Sequence, residues 1–206
     1  MIGPPAPGAT RLVLVRHCEA DLAPGVLCGR LDPPLSATGR SRAARLADAL
    51  AEVSVAAVYA SPARRAVATA EPLAARRGLP VSVDEGLREV DFGALEGLTW
   101  SEAEARHPDV CAAWTARPHE VTFPGGEAYR DVARRAERAA TALVERHRGA
   151  TVVAVAHAGV IRAVLAAALG APPEAAFRLD QRHGAVNVLD RFDDGGVVVR
   201  LVNGAA

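Results

Sequence analysis

Three short apolar runs, each followed closely by cationic or imidazole side chains, constrain this chain more than any other feature. Arg11 to Val15 (RLVLV) ends in Arg16-His17, Val53 to Ala60 (VSVAAVYA) leads through Ser61-Pro62 to Arg64-Arg65, and Thr151 to Ala156 (TVVAVA) ends in His157-Ala158-Gly159. Runs of branched and small apolar residues without polar alternation read as strands buried on both faces. Helical patterning follows them. In RSRAARLADALAEV the residues Ala43, Leu46, Ala47 and Leu50 share one face. Ser61 as N-cap and Pro62 at the first helical position predict a helix to about Arg77, closed by Gly78. VIRAVLAAALG supplies a third helix. Strands alternating with helices predict an α/β fold of three layers, a mostly parallel central sheet with helices on both faces.

The remaining segments fit around that frame. LPVSV reads as a short strand, and residues 87 to 109 as an irregular loop entering a short helix stopped by Pro108. Gly126 to Arg148 is mostly helical, with Val132, Ala136, Ala139 and Leu143 on one face. GAVNVLDRFDDGGVVVRLV reads as an antiparallel pair turned by Asp-Asp-Gly-Gly. A length of 206 residues suits one domain, read here as 11–206 behind a flexible Pro/Gly/Ala-rich tail at 1–10. A hydrophobic half and equal charges, 24 Lys+Arg against 24 Asp+Glu, exclude disorder and a basic nucleic-acid binder. The absence of a long apolar run or signal-like start predicts a cytoplasmic protein that engages no membrane. Cys18, Cys28 and Cys111 fit neither a disulfide framework nor a zinc site, which points to a reducing compartment.

In open α/β sheets ligands bind at the carboxyl ends of the strands. That rule gathers Arg16, His17, Arg64, Arg65 and His157 at one sheet edge. Such a cationic pocket suits a phosphate, with Arg16 and Arg65 as bidentate donors and the helix starts after Ser61-Pro62 and His157 as sources of backbone N–H. His107, His119 and His147 fall in polar, exposed stretches; His183, in the turn DQRHG, is within reach of the site.

These residues resemble the histidine phosphatase superfamily, which also contains the cofactor-dependent phosphoglycerate mutases. Leu14-Val15-Arg16-His17-Cys18-Glu19 looks like its Arg-His-Gly signature, and Ser61-Pro62-Ala63-Arg64-Arg65-Ala66 with Thr69-Ala70 like its second motif. Leu87 to Gly93 with Glu96-Gly97 resembles the acid-bearing segment, and Val155 to Gly159 with Ile161-Arg162 the second histidine motif. Gly29 to Asp32 and Phe123 to Glu127 also match. The resemblance implies a phosphoglycerate mutase-like fold in which His17 accepts the phosphoryl group and Arg16, Arg65 and His157 bind its oxygens. Glu89 would protonate the leaving oxygen and then activate water, with Glu96 as the alternative acid. For that first step Glu89 is expected to be protonated near neutral pH, and His17 to be kept neutral by its arginine neighbours.

It further implies no metal and no cofactor, a small phosphorylated metabolite as partner, and Arg30, Cys18, Glu19 and Ala158 as further candidates for substrate contact. Self-association into a homodimer is left open. Two positions depart from the family pattern: Cys18 replaces the usual glycine, and Ala23 stands near a phosphate-contacting asparagine of many members. Within the family the segments GVLCGRLDPPL and FRLDQRHGAVNVLDRF are most similar to α-ribazole phosphatases and broad-specificity relatives. The phosphoglycerate mutase reaction and a catalytically weak anion-binding role are the alternatives.

Overall fold

A computed structural model describes residues 3–205. Its centre is a six-stranded sheet with the order β3-β2-β4-β1-β5-β6. β1 (Ala9–Arg16), β2 (Ala57–Ala60), β3 (Val81–Val83) and β4 (Thr151–Ala156) run parallel, and the hairpin of β5 (Val186–Phe192) and β6 (Val197–Gly204) adds an antiparallel edge beside β1. The layers follow from the apolar strands. Leu12, Leu14, Val152 and Ala154 pack on one face against α5 (Tyr129–Arg146) and α6 (Ala158–Ala168). Val13, Val15, Val153 and Val155 pack on the other against α1 (Ala37–Ala49) and α2 (Arg64–Ala75). A strand that alternates between two apolar layers has no face for polar residues, which explains the unbroken runs.

Several boundaries depart from the sequence reading. β1 begins at Ala9, so it takes in the last two residues of the segment read as a tail; residues 1 and 2 of that segment lie outside the described residues. β2 covers only the last four residues of VSVAAVYA, because Val53 belongs to the turn after α1 and donates to the Leu50 carbonyl. α2 begins at Arg64 with Ala63 as an uncapped N-cap, not at Ser61-Pro62. Ser61 is drawn away by His157, described below. Pro108 ends α3 (Trp100–Arg106) as expected but also opens α4 (Pro108–Ala116), where a residue without an N–H is no loss at the first helical turn. Two single turns of 3-10 helix, Glu85–Leu87 and Gly93–Leu95, give the irregular loop its shape.

Asp190 on β5 is fully buried and faces Arg11 across the β1–β5 pairing, accepting from its Nε and Nη2 at 2.7 and 2.8 Å and from Arg200 at 2.9 Å. This ion cluster lies at the end of β1 opposite the histidines. Among the described residues no helix is long and apolar enough to cross a membrane.

Candidate active site

β1 and β4 are hydrogen-bonded neighbours whose last paired residues are Arg16 and Ala156, so the next residue of each strand is a histidine. The His17 N–H donates to the Ala156 carbonyl at 2.9 Å, and the rings of His17 and His157 stand 5.0 Å apart between centroids. The two histidines meet at this sheet edge, whereas Arg64 is exposed, its N–H donating to Asp32 at 2.7 Å, and does not line the cleft.

Each imidazole is held in one tautomer. His17 Nδ1 lies 2.7 Å from the Cys18 carbonyl, which can only accept, so Nδ1 carries the proton and Nε2 the lone pair. Arg65 Nη2 approaches His157 Nδ1 at 3.3 Å and can only donate, so His157 uses its Nε2–H toward Ser61 Oγ at 2.8 Å. Burial pushes His17 well below the usual imidazole range, with Arg65 and then Arg16 adding to it against the Cys18 hydrogen bond. Burial does the same to His157, reinforced by His17 and Arg65. Both rings are therefore neutral at neutral pH, as a nucleophilic imidazole requires.

The two arginines are oriented by carbonyl groups. Arg65, 1% exposed, donates to the carbonyls of Leu31 at 2.7 Å, Gly29 at 3.1 Å and Cys28 at 3.2 Å. Arg16 donates to the Gln181 carbonyl and to His183 Nε2 at 3.0 Å, while its Nε is buried without a hydrogen-bond partner among the described residues. A buried guanidinium N–H with no acceptor is costly, and an anionic oxygen would satisfy it.

Glu89 is placed by two devices. Its Oε1 accepts from Val90 N at 3.0 Å and its Oε2 from Gly159 N at 3.2 Å. A Cβ at Gly159 would fall 2.5 Å from Oε1, so α6 approaches the carboxylate this closely only with glycine there. Thus one amide expected at the α6 start as a phosphate donor goes to Glu89 instead. From α5, Arg135 donates to the carbonyls of Gly86, Arg88 and Glu89 and pairs with Glu127 at 2.9 Å, fixing the backbone that carries Glu89.

A cleft of about 370 Å³ opens onto this group, lined at one end by Arg16, His17, Arg65, Glu89 and His183. His157 lies beneath the lining, 1% exposed. A larger cavity of about 700 Å³ lies beside Arg11 and Arg200, at the opposite end of β1 and away from both histidines. Among the described residues no group of three His, Cys, Asp or Glu side chains converges closely enough to hold a metal ion.

Other expected positions lie outside the cleft. Arg30 turns to Asp91 at 3.0 Å and Glu127 at 3.9 Å. Glu19 pairs with Arg42 at 2.9 Å. Cys18 is fully buried with Leu35 and Ala43 and does not line the cleft, its N–H donating to Thr69 Oγ1 at 3.0 Å, and burial pushes its thiol up to about 11. Ala158 opens α6 but is not in the cleft lining, whereas Ala23 is. Glu96 accepts from the amides of Arg30 at 2.8 Å and of Gly29 and Phe92 at 3.1 Å, which makes it a staple of the loop.

Sequence reasoning missed Ser61 and Arg135, and understated His183, whose ring is 5.3 Å from His17 and whose imidazole is pushed down to about 4 by burial and by Arg16. The S-P pair gave a local capping signal that hid the role of Ser61. Glu127, within a matched segment, was the available pointer to Arg135.

Paired histidines and caged arginines thus meet at the strand ends of a parallel-centred α/β sheet. The chain belongs to the histidine phosphatase superfamily (branch 1), whose family model matches residues 12–204. It is 38% identical over 94% of its length to a bifunctional protein of Mycobacterium tuberculosis, of which it covers 54%, so it spans about half of that relative. It is 31% identical to phosphoserine phosphatase 1 of Hydrogenobacter thermophilus, over 93% of this chain and 91% of that one. The structure of the α-ribazole phosphatase from Shigella flexneri superposes with a TM-score of 0.86 at 28% identity, covering 95% of this chain and 97% of that one.

Proposed function

We propose that this chain is a metal-independent phosphomonoesterase that works through a phosphohistidine at His17, on a small phosphorylated metabolite in a reducing, cytoplasmic setting. The observation that carries the reading is the His17 tautomer: Nδ1–H is committed to the Cys18 carbonyl and Nε2 keeps an unprotonated lone pair beside Arg16 and Arg65. In the first step Nε2 attacks phosphorus, the ester P–O bond breaks, and Glu89 gives a proton to the leaving alkoxide. In the second, water attacks the phosphohistidine, Glu89 takes a proton from it, the N–P bond breaks and inorganic phosphate leaves. Proton transfer falls to Glu89 because it lines the cleft, which Glu96 does not.

Arg16 and Arg65 offset the charge on the equatorial oxygens, and their carbonyl and imidazole partners fix them before substrate arrives. His157 stands beneath, holding Arg65 with one nitrogen and Ser61 with the other; to contact a phosphoryl oxygen it must release one of them. Buried Cys18 fills the place of glycine without entering the cleft, which favours catalysis over a purely anion-binding role. Incubation with p-nitrophenyl phosphate in excess chelator tests the reading. Release of p-nitrophenol by the wild type and not by His17→Ala is expected; equal release from both, or none from the wild type, overturns it.

A further inference from the structure

Beyond its phosphoryl end the cleft changes character. The lining also includes Leu22, Ala23, Pro24, Val26, Leu27 and Phe92, and its cations are Arg16 and Arg65 alone among the described residues. Both belong to the phosphoryl end. Two other arginines near the cleft are committed elsewhere: Arg30 to Asp91 at 3.0 Å, and Arg42 to Glu19 at 2.9 Å and the His183 carbonyl at 2.8 Å. The acidic residue in the lining is Glu89. A second anionic group on a substrate would thus lose water and meet no cation.

The apolar wall is built in advance. Leu27 donates its N–H to the Leu98 carbonyl at 2.8 Å and accepts from Gly97 N at 2.9 Å, while Val26 bridges to Thr99, so the loop is zipped to the segment before α3. Phe92 is backed by Phe123 at 5.1 Å and Trp114 at 5.5 Å between centroids, and Trp114 by Trp100 at 5.5 Å. A ring held by other rings presents a fixed apolar surface without losing further side-chain freedom on binding.

Building on the phosphatase reading, we propose that the cleft selects phosphate monoesters of uncharged, apolar alcohols and discriminates against esters that carry a carboxylate. The test compares kcat/KM for 2-phenylethyl phosphate and 3-phosphoglycerate, both esters of aliphatic alcohols. A preference of about tenfold or more for the phenylethyl ester is expected. A Leu22→Arg variant, which adds a cation to the wall, is expected to move the ratio toward 3-phosphoglycerate by about fivefold or more. Equal or better turnover of 3-phosphoglycerate by the wild type overturns the inference and leaves the phosphatase reading standing, as does an unchanged ratio in a folded Leu22→Arg. Failure to hydrolyse any ester, p-nitrophenyl phosphate included, removes the reading and the inference together.

Discussion

Replacing Glu96 by alanine separates two roles that a carboxylate in this segment can have. As a staple it holds three amides at good distance, Arg30 N at 2.8 Å and Gly29 N and Phe92 N at 3.1 Å. A net contribution of about 1 kcal/mol per bond, the value typical of a neutral pair and used here because the side chain is partly exposed, gives a loss of about 3 kcal/mol. At about 2–4 °C per kcal/mol for a domain of this size, Tm falls by about 6–12 °C. The damage reaches the site by a short route. The carbonyls of Cys28, Gly29 and Leu31 cage Arg65, and the amides of two of these residues, Gly29 and Leu31, bond Glu96, the latter at 3.4 Å. Loosening that cage lowers kcat/KM by about tenfold with the pH profile of kcat unchanged in shape. Glu89→Gln behaves the other way, losing about a hundredfold or more in kcat. Thermal unfolding and pH–rate profiles on p-nitrophenyl phosphate read both. A Glu96→Ala protein with Tm within about 2 °C of wild type, or one that loses a limb of its pH profile, refutes the staple.

Two more outcomes follow from buried groups. His17, His157 and His183 all have folded values below the ordinary imidazole range, so the unfolded chain binds more protons as pH falls; their contribution to stability is whole above about pH 6.5 and declines below it, for His183 down to about 4. The urea midpoint is lower at pH 5 than at pH 7.5, and His183→Gln narrows the gap; an equal or higher midpoint at pH 5 contradicts the assignment. Iodoacetamide on the folded protein labels partly exposed Cys28 and spares Cys18, whose thiol is buried and pushed up to about 11. Peptide mapping that finds a Cys18 adduct before unfolding counts against its burial.

The sequence was most informative where local pattern and tertiary role agree. TVVAVA is a strand to the residue, because a central strand between two apolar layers has no reason to include anything polar until the sheet ends. The residues that break that run, His17, Arg16 and His157, were legible for the same reason. Ser61-Pro62 shows the limit: alone it is a good helix start, yet His157, 96 positions away, takes the serine hydroxyl and α2 starts three residues later. Arg30 and Glu96 look alike in sequence to site residues, and only the folded loop shows that their partners are Asp91 and backbone amides. Arg135 sits on an amphipathic helix among many arginines, and no periodicity distinguishes the one that grips the backbone of Glu89.

The adjacency of β1 and β4 has a consequence for how such a protein changes its diet. Neighbouring strands lie about 4.8 Å apart, and the two imidazoles that extend them sit at nearly that same distance, 5.0 Å. The reactive ring and its companion therefore inherit their separation from main-chain pairing and need no hinge to meet. On the proposed reading, what grips phosphorus is as stiff as the sheet while the alcohol meets the 22–28 loop and Phe92, so new substrates would be acquired by redrafting that rim without disturbing the anvil beneath it.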